Sequence, residues 1–359
     1  MKHRKIWALM LALVVTLGLS ACGTPGGNQP GSANPGVEAS GAPSTQPTDT
    51  AQAQPTPAGE ETVVRLGVLS GPTGIGAAKL LADSDAGVTG NTYAYTIAAD
   101  NNELMAGLTQ GTVDIATVAS NVAVNLYHKT GGDVRIIALG TKGVLHILEG
   151  SGGTEIQRVE QLRGQTIYAA GQGANPEFIL RHLLQSNGLD PDKDVTIVFA
   201  DASEITQKLM TGEAKVAMLP VPAATAAILK SEGKIRSAID VTEAWEGLED
   251  SGELMMTAVV ARTQFIQEHP QAVAAFLEEY AQSIGYVNTN VEEAAQLVAG
   301  FGITPSAAIA KAAIPQCHLT FVSGQDMAGA VSDYFATLYQ INPSALGGAL
   351  PDDGIYYVP

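Results

Sequence analysis

Residues 63–81 read Val63-Val64-Arg65-Leu66-Gly67-Val68-Leu69-Ser70-Gly71-Pro72-Thr73-Gly74-Ile75-Gly76-Ala77-Ala78-Lys79-Leu80-Leu81. Val64, Leu66 and Val68 alternate, as apolar residues do along a strand. Ser70 to Gly74 has the composition of a turn, and Ala77 to Leu81 opens a helix. A strand that tips straight into a helix leaves backbone N–H groups unpaired at the helix's positive end. Such a loop is a ready site for an anion or a polar ligand. It is one half of a candidate site, and a second half is expected elsewhere in the chain.

Strand and helix patterns alternate from here. Strands are predicted over 64–69, 92–98, 113–118, 134–139 and 144–149. Asn101/Asn102 and Ser120 open helices that Gly111 and Gly131-Gly132 stop. The rhythm then restarts with a strand at 165–170 and the loop Gly171-Gln172-Gly173-Ala174-Asn175-Pro176. Asn175 is the expected N-cap and Pro176 the first helical residue. Strands at 195–199, 215–219 and 235–241 follow, with a capping box at Asp201–Glu204 and a helix at 222–230.

The restart is a repeat. Sliding the chain by 101 residues sets Glu103 on Glu204, Leu108 on Leu209, Gly111 on Gly212, Ala116 on Ala217, Gly132 on Gly233 and Arg135 on Arg236. Gly71 falls 100 residues before Gly171 in the matching loop. Two alike lobes of parallel strands each put their ligand-facing loops at the carboxyl ends of the strands, and two such ends face to face make a cleft. After a strand at 254–260 the chain turns helical, over 264–268, 271–287, 291–301, 305–313 and 325–339, and ends in an irregular tail at 343–359. These helices need a sheet, and the first lobe is the expected host. The expected domains are therefore 63–150 plus 246–359 for lobe one and 151–245 for lobe two, joined by a two-segment hinge.

The beginning of the chain reads as an address. Lys2, Arg4 and Lys5 precede an apolar run from Ile6 to Leu19, of signal-peptide length and too short to span a bilayer comfortably. Leu19-Ser20-Ala21-Cys22 is similar to a bacterial lipobox, so residues 1–22 are expected to be a lipoprotein signal with Cys22 as the lipidated residue. Residues 23–61 are rich in Pro, Gly, Ser, Thr, Gln and Ala and cannot bury a core; they are expected to be a disordered linker. Removing the three leader cations from the chain's 19 Lys and Arg leaves 16 against 36 Asp and Glu. That balance argues against nucleic acid and against an anionic lipid surface, since there is no basic stripe to neutralise phosphates. The other cysteine is Cys317, so with Cys22 lipidated no disulfide forms within the chain.

The motif search yields binding loops and no catalytic set. Gly71–Lys79 lacks the Gly-Lys-Ser/Thr of a P-loop, and Gly74-Ile75-Gly76 lacks the third glycine of the dinucleotide fingerprint. Asp190-Pro191-Asp192-Lys193-Asp194 starts like a calcium loop, but Val195 stands where glycine is required. His128, His146, His182, His269 and His318 are scattered without metal-ligand spacing. No metal and no cofactor are expected.

The lipobox, the spacer and the two-lobed α/β body together resemble the solute-binding lipoproteins of bacterial ABC importers. The nearest likeness is to the nitrate/sulfonate/taurine-type group and its relatives that bind thiamine-precursor pyrimidines. It is carried by Leu66–Gly74, Gly111–Ala116, Leu162–Ile167, Asn187–Asp190, Ala214–Ala217 and Arg262–Pro270, within residues 63–345. The resemblance implies a type II periplasmic-binding-protein fold and a monomer that captures a small solute between its lobes. It also implies an ABC permease with its ATPase as partner, and an extracytoplasmic position tethered to the membrane by lipid alone. Carried over by position, the ligand-binding residues would be Ser70, Gly71, Thr73, Ser120, Asn121, Thr141, Lys142, Gly171, Gln172, Gly173, Asn175, Pro220 and Val221. Ser70, Ser120 and Asn175 also fit plain helix caps, Thr141-Lys142 a solvent turn, and Trp245 either a stacking surface near the hinge or a core residue. No arginine lies in these loops and Lys142 is the one cation near them, a departure for a group whose sulfonate or nitrate invites a guanidinium. An enzyme on the same fold, of the pyrimidine-precursor-synthesis or dehydratase type, and a ligand sensor are the alternatives.

Overall fold

The computed structural model describes residues 62–150, 153, 155–249 and 251–359. The signal segment, Cys22 and the spacer lie outside the described residues. Eleven strands run in chain order among the described residues: β1 Val63–Leu69, β2 Thr92–Ala98, β3 Ile115–Ala119, β4 Val134–Thr141, β5 Leu145–Glu149, β6 Thr166–Ala169, β7 Thr196–Phe199, β8 Val216–Pro220, β9 Arg236–Asp240, β10 Thr257–Arg262 and β11 Leu319–Ser323. The α-helices are α1 Pro72–Ile75, α2 Ala78–Asp85, α3 Asn101–Gln110, α4 Ser120–Thr130, α5 Asn175–Ser186, α6 Ala202–Thr211, α7 Ala223–Lys230, α8 Val241–Glu246, α9 Thr263–Glu268, α10 Pro270–Thr289, α11 Val291–Gly300, α12 Ala307–Ala313 and α13 Asp326–Ile341. None is long and apolar enough to cross a membrane.

The strands form two sheets on one plan. The first has the order β11-β4-β10-β3-β1-β2 and the second β7-β6-β8-β5-β9. β1 pairs parallel with β2 and β3, and β6 pairs parallel with β7 and β8. Next to β3 lies β10, antiparallel, and next to β8 lies β5, also antiparallel. β4 and β9 then flank those two strands. Apart from the added edge strand β11, the two sheets correspond strand for strand in order and pairing sense. The 101-residue repeat sets β3 on β8 in this plan.

The repeat does not foretell where each antiparallel strand comes from. β5, grouped with the first lobe by the sequence reading, pairs with β8 and β9 in the second sheet. Its Leu145, Ile147 and Leu148 are as apolar as any parallel strand, so composition does not reveal the sheet it joins. The chain therefore crosses at Lys142–Val144, immediately after β4, and returns between α8 and β10.

Packing explains the opening stretch. Val64, Leu66 and Val68 enter a core with Leu80, Leu81, Phe276, Tyr280 and Ile284, so the long helix α10 covers one face of the first sheet. The other face meets α3, α4 and α13 through Leu104, Val124, Val331 and Phe335. Both faces are covered, as a mainly parallel sheet requires. Gly67 is the device that lets α3 approach: a Cβ there would lie 2.4 Å from Leu104 Cδ2. Gly74 is required for the same reason, since a Cβ would lie 2.1 Å from the Leu69 carbonyl oxygen. The loop expected between Leu69 and Ala77 thus holds one extra helical turn, α1.

Asp114, almost fully buried at the start of β3, ties the returning strand into the first sheet. Its carboxylate accepts from Arg65 Nε at 2.7 Å and Nη2 at 2.5 Å, from the Arg65 backbone N–H at 3.0 Å, and from Arg262 Nη2 at 2.7 Å. Burial pushes the Asp114 carboxyl up, and the hydrogen bonds from Arg65 and Arg262 outweigh it, holding the group below the ordinary carboxylate range. A depressed carboxylate stabilises the fold above about pH 4 and loses that contribution as the pH falls through its lower folded value. Asp114→Ala leaves two guanidiniums facing an empty carboxylate position. It should cost about 3 kcal/mol in urea-unfolding experiments at pH 7. A change within experimental error would show that β10 is held without this cluster.

Candidate functional site

Loops follow the carboxyl ends of both sets of parallel strands, and the start of α4 meets the entry to α5 there, forming a seam. From the first sheet come the loop after β1, the start of α4 after β3, and Thr141-Lys142 after β4. From the second come the entry to α5, Pro220-Val221 after β8, and Asp240 at the end of β9.

The first loop is held from within its own lobe. The Ser70 N–H donates to the Ala98 carbonyl and the Gly71 N–H to the Ile303 carbonyl, both at 2.9 Å. Gly71 has φ of 81°, a left-handed conformation that favours glycine. Thr73 is half-buried in the first turn of α1. Ser120 is fully buried. Its Oγ donates to the Met255 carbonyl at 2.7 Å and its N–H to the Met256 carbonyl at 2.9 Å, so it clamps the returning segment. Ser120 does not cap α4, and the true cap of α3 is Asp100, which accepts from the N–H groups of Asn102 and Glu103. Asn101 instead accepts from the Ala119 N–H at 3.1 Å, fixing the start of α4.

Asn121 and Asn175 join the two halves. Asn175 Nδ2 donates to Asn121 Oδ1 at 3.0 Å and lies 3.2 Å from the Tyr334 hydroxyl. Asn175 is therefore a cross-lobe contact, not the expected cap: α5 begins after Ala174 without a side-chain cap. The Gly173 N–H, two residues before α5, donates to Glu177 Oε2 at 2.8 Å. Gly171, Gln172 and Gly173 are exposed. Gly171 and Gln172 line a hollow of about 510 Å³ with Val198, Phe199, Asp201 and Glu204, all from the second sheet's side. The expected capping box at Asp201 makes no side-chain cap. Pro220 pairs across β5, and the buried Val221 donates its N–H to Val144 at 2.9 Å.

Lys142 belongs to the hinge. Its ammonium lies 3.0 Å from Glu246 and 3.2 Å from Glu253, the carboxylates on either side of the returning segment. Burial lowers its pKa, and the two carboxylates more than reverse that, holding it above the ordinary lysine range. Thr141, almost fully buried, gives its carbonyl to the Met256 N–H at 3.1 Å.

Residues that sequence reading missed lie beside it. His318 Nε2 sits 3.0 Å from Asp240 Oδ2, across the hinge, while Asp240 Oδ1 caps α8. His146 Nδ1 is 4.0 Å from the same Asp240 oxygen. The Lys142 N–H donates to the His318 carbonyl, and His318 has φ of 46°, in the left-handed region that few residues other than glycine adopt. The signal available in sequence was only that a histidine precedes the last strand. Trp245 is fully buried, its Nε1 donating to the Ser251 carbonyl and its ring packed on Tyr334 and His182. Cys317 is buried, which raises its thiol to about 12. Among the described residues no group of three or more His, Cys, Asp or Glu is placed to hold a metal.

Buried polar side-chain atoms without a hydrogen-bond partner also gather here. Among the described residues they are Thr141 Oγ1, His146 Nε2, Asn175 Oδ1, Thr225 Oγ1, Thr242 Oγ1 and Gln316 Oε1. Arg135 Nε and Arg262 Nε are the exceptions at the far end of the first sheet. Buried polar atoms are normally paired.

Two repeated sheets, exchanged antiparallel strands and a seam between facing loops define the periplasmic-binding-protein fold. The chain belongs to the NMT1/THI5-like family, whose sequence model matches residues 94–294. Solved structures share the fold. An ABC transporter protein from Parabacteroides distasonis is 23% identical, with a TM-score of 0.68 over 82% of this chain and 99% of that one. The periplasmic aliphatic sulphonate binding protein SsuA from Escherichia coli is 16% identical, with a TM-score of 0.62 over 79% and 88%. The ligand-binding component of an ABC-type import system from Staphylococcus aureus is 14% identical, with a TM-score of 0.60 over 82% and 96%. No curated protein matches the sequence.

Asp240 raises the pKa of His318 by accepting its hydrogen bond, against the opposing effect of partial burial; Glu246 and Glu243 act in the same direction. A raised histidine stabilises the joined lobes fully below about pH 6.5 and loses that contribution as the pH rises through its folded value. Burial lowers His146, despite Asp240 and Glu243, and also lowers His182, so both act in the opposite sense. The test is therefore a difference: melting temperatures of native protein minus His318→Gln should shrink between pH 6 and 8.5. A difference that is constant across that range would remove His318 as a titrating contact.

Proposed function

We propose that this chain is the solute-capturing component of an ABC importer, without chemistry of its own. The supporting observation is the cross-lobe seam, where Asn121 and Asn175 bridge two loop sets and buried hydroxyl and amide atoms remain unpaired. In this reading 63–141 with 257–359 form one lobe and 145–240 the other, and the crossings at 142–144 and 241–256 flex as they part. Solute enters the parted lobes, supplies partners for those atoms, and stabilises the closed form by its preference for it. The closed form then docks on the permease. Cys22 carries the lipid anchor outside the cytoplasmic membrane. The ligand set is centred on Thr73, Asn121, Thr141 and Asn175, with Lys142 and Ser120 fixing the hinge.

Trp245 is the one tryptophan beyond the leader, and it packs on Tyr334 across the two halves. Its emission therefore reports on closure. Titrating the 62–359 body with a broad panel of small solutes should produce a saturable emission change and a higher melting temperature for the bound class. Asn175→Ala should weaken that binding about tenfold, as loss of one hydrogen-bonding side chain does. Conversion of a bound solute into product would overturn the binding-only reading in favour of an enzyme.

A further inference from the structure

Resting on the solute-capturing reading, we infer that His318 and Asp240 form a proton-operated latch between the lobes. The protonated imidazole holds the joined arrangement, and loss of its proton releases the lobes, so that solute is held more tightly in mildly acid than in alkaline surroundings. The first observation is position. His318 stands immediately before β11, the edge strand of the first sheet, and Asp240 closes β9, the edge strand of the second. His318 Nε2 lies 3.0 Å from Asp240 Oδ2. Among the ion pairs of the described residues, this is the one that joins the body of one lobe to the body of the other. The rest stay within a lobe or, like Lys142 with Glu246 and Glu253, within the crossings.

The second observation is the backbone. With φ of 46°, His318 occupies a conformation that glycine meets at least cost. The Lys142 N–H holds its carbonyl at 3.1 Å, and the pairing of β11 with β4 shifts register just beyond it. Such strain persists where the surrounding structure over-determines it. Here it delivers an imidazole to the far lobe. That side chain is 26% exposed, so solvent reaches it to exchange the proton.

The third observation is the charge that faces the pair. Asp240 comes from β9, Glu243 and Glu246 from α8, His146 from β5, Lys142 from the outgoing crossing and Glu253 from the returning one. Cys317, its neighbour, is buried with its thiol raised to about 12 and stays neutral. Burial favours the neutral form of His146, whose Nδ1 is 4.0 Å from the same Asp240 oxygen. Four carboxylates thus face Lys142 and His318. Their excess over the cations is two charges with His318 protonated and three without it. Asp240 Oδ1 accepts from the Thr242 N–H in either case, so the proton governs the contact across the joint and not the cap of α8.

The hydrogen bond to Asp240 outweighs partial burial and raises His318 in the joined form, while parted lobes remove the partner. The joined form is therefore favoured fully below about pH 6.5, and the advantage is lost as the pH rises through the raised value. A solute that prefers the same form is bound more tightly when the proton is present, by linkage.

The test is the spin-label distance between lobes in the solute-free 62–359 body, which holds both sheets and their cores, with labels at the exposed positions Gln110→Cys and Glu213→Cys. The ratio of joined to parted distances is expected to be about fivefold higher at pH 5.5 than at pH 8.5, the effect of one partly exposed ion pair. In His318→Gln, which has no proton to lose, and in Asp240→Asn, which keeps an oxygen to cap α8, the ratio should change less than about twofold. Thermal melts at both pH values would check that the variants are folded. A native ratio that ignores pH, or one that moves equally in both variants, would overturn the latch and leave solute capture standing. One distance at every pH, unmoved by the solute panel, would overturn the capture reading and the latch with it.

Discussion

The structure depends on a crossing. The chain leaves the first sheet at Thr141 and within four residues begins β5, the antiparallel strand of the second sheet. It returns through a segment that ends in β10, the antiparallel strand of the first sheet. Each sheet is thus completed by the strand that adjoins a crossing, and neither half has a continuous sheet without the joint. Lys142, between Glu246 and Glu253, holds the outgoing segment against the returning one. Backbone bonds from Met256 to Thr141 and from Ser120 to Met256 continue the same clamp. A continuous core reinforces it, running from Val124 and Phe335 through Tyr334 and Trp245 to Ile179 and Leu183.

This joint separates what holds the fold from what can change. The ion clusters of Asp114 with Arg65 and Arg262, and of Glu149 with Arg236, lie at the ends of the sheets away from the seam. They fasten the exchanged strands in their sheets. Polar contacts at the seam run between single side chains: Asn175 with Asn121 and Tyr334, His318 with Asp240, and Lys142 with Glu246 and Glu253. Under the proposed reading, the lobes part about this joint while each exchanged strand stays fastened in its own sheet.

The fold was legible because it is written twice. Alternating Val64, Leu66 and Val68, stopping glycines at Gly111 and Gly212, and the 101-residue offset all report local geometry and its repetition. The strand exchange was hidden because pairing partners are chosen by tertiary contact, and Leu145-Ile147-Leu148 suits either sheet. At the site, sequence located the loops but not the work of each side chain. Ser120, Asn175 and Asp201 all have capping chemistry, yet Ser120 clamps Met255, Asn175 reaches Asn121, and Asp201 caps nothing by its side chain. A residue able to cap accepts whichever donor tertiary packing brings nearest. His318 and Asp240 are 78 positions apart and meet only because both sheets place their ends at the joint, which no local pattern announces.

The central claim is that two lobes move about this joint to enclose a solute. Spin labels at Gln110→Cys, at the end of α3, and Glu213→Cys, just beyond α6, both exposed, would report the distance between lobes, with buried Cys317 left unlabelled. The account predicts a broad or two-peaked distance distribution for the free 62–359 body that collapses to one peak when a bound solute saturates it. One unchanged peak with and without a saturating solute would contradict it.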